Sequence, residues 1–290
     1  MSIRIATNSP CDIPLNEARQ IGVDIVPLKI VFDGKEYREG VDMGIKEFYI
    51  ALKSSFHAVT TSQPSPMEYL TLIEDAKRAK DSLIILAMAS SLSGAYQSAV
   101  IAKEMSGYPY VYVIDTHQAI MGLRLMVEHA VKLRDSGVDA PDIVEELIRL
   151  RPRVVIWSMV DTLEYLHRGG RISAAVKILG SLLNIKPIVS MRDNLMSMID
   201  RARGFQASVK AIFKHIDSVG GISPQFPVYY GYTDTSEQCL RFKALADERY
   251  GLTDSKVFPV GGVVGAHVGP GAFALCHVCL LYTSPSPRDA

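Results

Sequence analysis

Hydroxyl, amide and imidazole side chains are concentrated in three short polar motifs, each beside an apolar stretch of the chain. The motifs cover residues 60–64 (TTSQP), 90–94 (SSLSG) and 267–271 (HVGPG), and we expect all three to form loops. A carboxylate needs a few convergent hydrogen-bond donors, and a hydrocarbon chain attached to it needs an apolar cavity. The motifs therefore predict a site that clamps a carboxylate and encloses its apolar chain.

Ser93 and Gly94 stand between a predicted buried strand over residues 83–89 and a predicted helix over residues 94–105. The N-terminus of a helix presents free backbone amides and a partial positive charge, which stabilise a carboxylate. Ser93 suits the N-cap position of this helix. The Ser93 hydroxyl and the Gly94 amide are therefore candidate ligand-binding groups, although serine and threonine are also common in ordinary caps and turns.

The same side chains allow a second interpretation, in which Ser93 attacks a lipid ester and His267 acts as the general base of a hydrolase. No G-x-S-x-G motif surrounds Ser93, and the sequence shows no acid placed to orient His267. A Walker A motif is also absent, which argues against a phosphotransferase that works alone. From the residues alone, the binding and hydrolase alternatives both stay open.

The composition argues against several other classes of protein. Lysine plus arginine and aspartate plus glutamate both total 31, so the formal net charge of +0 provides no general attraction for nucleic acid. Hydrophobic residues make up 48%, but no apolar run approaches the roughly 18 residues of a membrane-spanning helix. The first residues lack the apolar segment of a signal peptide. We expect a cytoplasmic protein with at most transient membrane contact.

The four cysteines and seven histidines show no pattern typical of a metal site. Only Cys276 and Cys279 form a C-x-x-C pair, and no second pair of ligands occurs at zinc spacing. We therefore expect neither a metal nor a cofactor.

Alternating strands and helices dominate the first half of the chain. Apolar strands predicted over residues 3–7, 83–89 and 110–114 are each followed by a helical pattern, which indicates parallel strands with crossover helices. The second half mixes helices with a hairpin predicted around Asp193-Asn194.

These patterns predict a two-domain α/β fold class. A Rossmann-like N-terminal domain with a parallel sheet is expected over residues 1–155, and an α+β C-terminal domain over residues 156–280, with the lipid bound between them. Residues 281–290 change to a polar, turn-forming composition, so we expect a disordered or non-native tail there.

Further motifs accompany the three polar ones. They are residues 7–9 (TNS) with Asp12, 26–28 (VPL), 96–99 (YQSA), 166–173 (LHRGGRIS) and 182–187 (LLNIKP). Together and in this order, the motifs resemble the DegV family of bacterial fatty-acid-binding proteins, whose members present the bound acid to a fatty acid kinase as its carrier subunit. The resemblance covers nearly the whole chain.

The resemblance implies roles for individual residues. By their positions in the motifs, Thr61, Ser93 and His267 hydrogen-bond the fatty-acid carboxylate, with the Gly94 amide nearby. Arg171 in the glycine-rich segment lies close to this network, where a guanidinium supports a carboxylate or a developing acyl phosphate.

Arg201 and Arg203 follow the predicted hairpin and resemble the family's contact surface for the kinase. A local basic pair steers docking to an acidic partner even on a neutral protein. The resemblance thus implies a carrier without catalytic machinery of its own, whose ligand is a fatty acid and whose partner is a separate fatty acid kinase.

Overall fold

Residues 2–54, 59–172 and 185–280 are described by a computed structural model of the chain. The tail predicted over residues 281–290 lies outside this part, as do Ser173 and residues 182–184 of two family motifs.

The described residues of the first half form seven strands and six helices. The strands are β1 (Ile3–Asn8), β2 (Val23–Val26), β3 (Lys29–Phe32), β4 (Lys35–Arg38), β5 (Thr60–Ser62), β6 (Ser82–Ala87) and β7 (Val111–Asp115). The helices are α1 (Leu15–Gln20), α2 (Ile45–Ser54), α3 (Pro66–Ala79), α4 (Ala95–Ser106), α5 (Ile120–Asp135) and α6 (Ala140–Leu150).

The described residues of the second half form six strands and four helices. The strands are β8 (Val154–Met159), β9 (Ile185–Arg192), β10 (Leu195–Arg203), β11 (Val228–Tyr232), β12 (Ser255–Pro259) and β13 (Phe273–Val278). The helices are α7 (Glu164–Arg168), α8 (Gly204–Ser218), α9 (Glu237–Tyr250) and α10 (Gly262–Val268).

The first sheet is wholly parallel, with the strand order β2-β1-β6-β7. All six residues of β6 are buried, as expected for a central strand of a parallel sheet. The carboxyl ends of β1 and β6 therefore lie at one edge, and the serine-rich motif at residues 90–94 follows β6 there. The predicted parallel-sheet arrangement of the N-terminal half is confirmed.

A small antiparallel sheet with the order β4-β3-β5 stands beside the first sheet. Asp33 and Gly34 form the two-residue turn between β3 and β4, and both have positive φ, as the Asp-Gly dipeptide predicts. The segment before this turn, residues 25–32, looks like one apolar run in the sequence but contains parts of two strands that belong to different sheets. Pro27 separates them because it has no backbone N–H to donate to a sheet.

The second sheet is mixed and has the order β10-β9-β8-β13-β11-β12. Asp193 and Asn194 form the predicted two-residue turn between β9 and β10, with φ of 51° and 60°. Helices α8 and α9 pack on one face of this sheet around Phe242 and Phe273. The predicted α+β character of the C-terminal half is confirmed.

Two of the three polar motifs are only partly loops, contrary to expectation. Thr61 lies in β5, whose three residues add to the free side of β3. His267 lies in the last turn of α10. Both elements are short, and α10 consists mostly of glycine and valine, which have low helix propensity, so tertiary contacts determine these elements and the local sequence does not reveal them.

One hydrophobic cluster continues from the first sheet to the second. It contains Ile5 and Ile84 from the first sheet, Leu123 from α5, and Ile156 and Ala274 from the second sheet. Helix α10, from the end of the chain, packs against α2, β3 and β5 of the first half. The predicted domain boundary at residues 155 and 156 stays a prediction.

Candidate functional site

Four of the predicted site residues line one cavity of about 380 Å³, which we call the mixed cavity. Thr61 reaches it from β5, Ser93 from the loop after β6, Arg171 from the segment after α7, and His267 from α10. The remaining lining is largely aliphatic. Residues more than 200 positions apart in the chain thus meet around one space. Gly94 is not among the described residues that line it.

Thr61 and His267 form a hydrogen-bonded pair in the wall of the mixed cavity. Thr61 Oγ1 and His267 Nε2 lie 2.8 Å apart. Burial, together with the nearby positive charge of Arg171, lowers the pKa of His267 from 6.5 to about 4. The imidazole is therefore neutral at pH 7.

The surroundings of the ring decide which nitrogen of His267 carries the proton. Nδ1 is buried and has no hydrogen-bond partner among the described residues. A proton there would bury an N–H without an acceptor, which is rare in folded proteins, so we assign the proton to Nε2. Nε2–H then donates to Thr61 Oγ1. The hydroxyl hydrogen of Thr61 is left free to donate into the cavity.

Gly169 permits the close approach that holds His267 in place. A β-carbon at this position would lie 2.1 Å from His267 Nδ1, far inside van der Waals contact. The turn after α7 is closed by a 3.0 Å hydrogen bond from the Arg171 amide to the carbonyl of Leu166. The glycines at residues 169–170, which look like a plain turn in the sequence, thus fit the turn tightly against the imidazole.

Arg171 is held by two backbone carbonyls. Its Nε donates to the carbonyl of Leu92 at 3.0 Å, and its Nη1 donates to the carbonyl of Gly169 at 2.6 Å. The guanidinium therefore joins the serine-rich motif to the glycine turn. It brings a positive charge to a cavity whose other polar side chains are neutral.

The start of α4 differs in detail from the prediction. Gly94 occupies the N-cap position, and Ser93 Oγ accepts a weak hydrogen bond from Ala95 N at 3.3 Å. Gln63 packs so closely on Gly94 that a β-carbon there would lie 2.0 Å from its Oε1. Gln63 also lines the mixed cavity and donates to Ser98 Oγ. Its position two residues after Thr61 was the available signal for this further polar group.

A narrow apolar cavity of about 60 Å³ adjoins the mixed cavity. Four residues line both cavities: Leu92, Met196, Val264 and Val268. The apolar cavity extends toward the second sheet, where strands β8, β9, β11 and β13 contribute its walls. Leu92 and Val268 belong to the polar motifs, whereas nothing in the sequence marks Met196 of β10 as a lining residue.

An outer cavity of about 340 Å³ shares Thr61, Arg171 and His267 with the mixed cavity. Its other polar groups include Tyr165 and the exposed Arg168 of α7. The Thr61–His267 pair therefore borders two cavities, one with a largely aliphatic lining and one with a more polar lining that includes Arg168.

The contacts of Ser93 and His267 do not support a nucleophile and base. No hydrogen bond joins these two described residues; Thr61 is the partner of His267. In the part of the chain that the structure describes, no acidic side chain bonds to His267 Nδ1, as one would in a catalytic triad to orient the base. The arrangement favours hydrogen bonding to a ligand over ester hydrolysis.

The sequence predicted that Arg201 and Arg203 follow the hairpin. Both instead belong to its second strand, because β10 extends to Arg203. Met198 lies opposite Val189 in the pairing with β9, and a β-bulge follows Met198. Arg201 consequently lies opposite Pro187, on the same face as Met198. The bulge thus places two exposed cations on the sheet face whose apolar residues pack beside the mixed cavity.

Other kinds of site have little support in the described residues. They contain no group of histidine, cysteine and acidic side chains that could hold a metal ion. Among their helices, none is long and apolar enough to cross a membrane. All four cysteines are buried.

The fold and the cavities define an α/β protein whose site fits an amphipathic ligand with a polar head. A family model described as "Uncharacterised protein, DegV family COG1307" matches residues 2–279. The DegV domain-containing protein TTE1491 of Caldanaerobacter subterraneus subsp. tengcongensis is 33% identical over 270 residues, which cover 93% of this chain and 96% of that protein. The chain therefore belongs to the DegV family.

Two solved structures extend the comparison. A DegV family protein from Thermus thermophilus, described by its fatty acid binding, is 29% identical and has a TM-score of 0.87, over 97% of this chain and 100% of that one. A stearic acid-binding protein from Eubacterium ventriosum is 25% identical with a TM-score of 0.86, over 96% and 98% of the two chains. Fatty acid binding is thus a property of solved members of the family.

Proposed function

We propose that this protein binds a long-chain fatty acid and presents its carboxylate to a separate fatty acid kinase, which forms the acyl phosphate. One observation carries the proposal: a cavity with convergent polar side chains, among them Thr61, Ser93 and Arg171, adjoins a small apolar cavity and shares four apolar lining residues with it. The relatives described as binding a fatty acid, one of them stearic acid, support this ligand class. No cofactor is part of the proposal.

In this proposal, neutral donors and one cation hold the carboxylate. Thr61 donates its hydroxyl hydrogen because His267 Nε2–H already supplies a donor to its oxygen. Ser93 contributes a second hydroxyl, and Arg171 provides the positive charge. Gly94 places the start of α4 close by, so its predicted contribution is through the partial charge of the helix end.

The outer cavity supports the kinase step of the proposal. A carboxylate bound by the Thr61 hydroxyl lies in the mixed cavity, which the apolar cavity adjoins, while Arg168 and Tyr165 line the outer cavity on the other side of Thr61. A phosphoryl donor bound to the partner could approach from the outer side. The protein itself would then need no nucleophile, and the chemistry would belong to the kinase.

We further propose a cytoplasmic location and at most transient membrane contact, because the kinase would receive the acid there.

Native mass spectrometry of the purified protein tests the ligand. We expect a stoichiometric mass excess that organic extraction identifies as a long-chain fatty acid, or uptake of added stearate by stripped protein. A chromogenic ester assay on the same preparation separates the hydrolase alternative, for which we expect no turnover. A protein that carries no lipid and takes up none would contradict the proposal.

The partner surface is tested with a charge reversal. We expect Arg201→Glu combined with Arg203→Glu to lower the rate of acyl-phosphate formation by the partner kinase and to leave stearate affinity unchanged, because both side chains are exposed outside the cavities. The matched control is Lys210→Glu with Lys214→Glu, an exposed basic pair on α8. Equal loss of rate in both double variants would show a general charge effect and no specific surface.

A further inference from the structure

Two buried carboxyl groups meet at the beginning of α10, away from the mixed cavity. Glu39 Oε1 accepts a hydrogen bond from Val263 N at 2.7 Å, and its Oε2 accepts one from Ser9 Oγ at 2.7 Å. Asp12 Oδ1 accepts one from Gly261 N at 2.9 Å. A β-carbon at Gly261 would lie 2.4 Å from Glu39 Oε1 and 2.9 Å from Asp12 Oδ1, so both carboxyl groups converge on this residue.

Among the described residues, no cation forms an ion pair with either of these two carboxyl groups. The positive charge of Arg124 of α5 acts on Asp12, but its side chain bonds to Glu17, to Glu128 and to the backbone carbonyl of Asp12. Burial raises the pKa of Asp12 well above its ordinary value, with the charge of Glu39 adding to the effect, and burial also raises the pKa of Glu39.

Two further titratable groups face this pair. The Tyr49 hydroxyl of α2 donates to the carbonyl of Val260, and the Cys11 thiol lies beside Asp12. Neither is a cation at neutral pH. Burying two acids in this setting costs free energy, and the hydrogen bonds that they accept from backbone amides offset part of that cost.

What they bind is the start of a short helix with little stability of its own. Helix α10 has seven residues, mostly glycine and valine, and an isolated helix of this length does not form. His267 lies four residues after Val263, one helical turn further on, and both line the mixed cavity. A shift at the start of the helix is therefore passed directly to the imidazole.

We propose that Asp12 and Glu39 are positioning residues, which fix the start of α10 and thereby hold His267 against Thr61. Neither residue is among the described residues that line the mixed, the apolar or the outer cavity. The consequence for ligand affinity rests on the proposed function; the consequence for the imidazole does not.

The first test observes His267 in ligand-free protein. Isotope-labelled histidine gives its imidazole NMR signals, assigned with the variant His267→Gln. We expect Glu39→Ala to shift the His267 signals and Glu39→Gln to leave them nearly unchanged, because glutamine keeps an oxygen for Val263 N. Asp42→Asn is the control: this carboxyl is close in sequence but bonds to Arg38 at the surface. An unmoved His267 in Glu39→Ala would overturn the proposal.

The second test measures stearate affinity in the same variants. We expect Glu39→Ala to weaken binding about tenfold, equivalent to about 1.4 kcal/mol, and Glu39→Gln to retain most of the affinity. If wild type takes up no stearate, the proposed function fails, while the NMR result still decides the positioning role. If wild type binds and Glu39→Ala binds equally well, positioning fails alone.

Milder variants keep the test decisive if Glu39→Ala does not fold. Ser9→Ala removes one support of Glu39 and leaves its bond to Val263, whereas Asp12→Ala removes the acceptor of Gly261 N. We expect a His267 shift in both, larger for Asp12→Ala. Asp12→Asn should keep the wild-type signals, because the amide oxygen of asparagine accepts the same hydrogen bond from Gly261 N. Absence of any shift in both alanine variants would overturn the proposal.

Discussion

The imidazole of His267 is constrained on both sides, by the Thr61 hydroxyl at Nε2 and by the α-carbon of Gly169 near Nδ1. Because its pKa is lowered to about 4, it stays uncharged at neutral pH and acts as a hydrogen-bond donor. Arg171 then supplies the positive charge nearby. A charged imidazole beside that guanidinium would be repelled by it, so in the proposed site His267 orients Thr61 and Arg171 carries the positive charge.

Replacing Thr61 by valine removes the donor that the His267 pair orients. A hydrogen bond to a charged group contributes about 1.5–3 kcal/mol, so we expect the stearate dissociation constant of Thr61→Val to rise roughly 10- to 150-fold. Titration of stripped protein with stearate measures this. Thr60→Val is the matched control, because Thr60 is the exposed neighbour in the same strand. Equal affinities for both variants would remove Thr61 from the site.

The elements differ in how far their own sequence determines them. The turns at Asp33-Gly34 and Asp193-Asn194 and the start of α3 were predictable, since their residues act locally: Ser65 N, for example, donates to Glu68 Oε2 at 2.7 Å. The strand containing Thr61 and the helix containing His267 were not predictable, because each is held by contacts with distant parts of the chain.

The same distinction applies to the site. The residue types and the family motifs indicated Thr61, Ser93, Arg171 and His267, which the structure brings together around one cavity. Their role in binding a carboxylate stays a prediction. Met196 could not be identified because its lining position depends on how the β9–β10 hairpin folds over the cavity, which no local pattern encodes.

Strand β13 carries a buried histidine that makes the second sheet sensitive to acid. His277 Nε2 accepts a hydrogen bond from Trp157 Nε1–H at 2.9 Å, and burial lowers its pKa from 6.5 to about 4. Between these values the unfolded chain binds a proton that the folded chain does not. This histidine therefore makes the free energy of unfolding decrease as the pH falls from 6.5 toward 4.

The variant His277→Gln tests this contribution, because glutamine offers Trp157 an acceptor and does not titrate. We expect the stability of wild type relative to His277→Gln to decrease by roughly 1.4 kcal/mol per pH unit at most between pH 6.5 and 4. Urea unfolding followed by Trp157 fluorescence provides the values, and using the difference cancels the opposite trend of the buried acids Asp12 and Glu39. His167→Gln is the control, because it makes the same chemical change at an exposed position of α7. A pH-independent difference would contradict the expectation.

At the scale of the whole molecule, one hydrophobic cluster connects the two halves, and the cavities are lined from both. Helix α10 adds to this connection because it follows β12 in sequence but packs on the small sheet of the first half. Loss of either half would open the proposed ligand site.

We therefore expect the described part of the chain to unfold in a single cooperative transition that stearate shifts upward. At a free ligand concentration 100 times the dissociation constant, the added stability is about 2.7 kcal/mol. Circular dichroism and the fluorescence of Trp157, the single tryptophan, should give coincident transitions with and without stearate. Thr61→Val should show a smaller shift at the same stearate concentration. Separate transitions for the two probes would show that the halves unfold independently.

Strand β13 follows every other described strand along the chain, yet it lies in the interior of the second sheet, between β8 and β11. During synthesis, β8 and β11 thus leave the ribosome well before the strand that separates them. Until β13 arrives, both present unpaired backbone edges of apolar strands, which are prone to pair with other chains. The nascent protein consequently passes through a stage at which it would benefit from a chaperone, and shortening the chain by this one strand should leave an aggregating product.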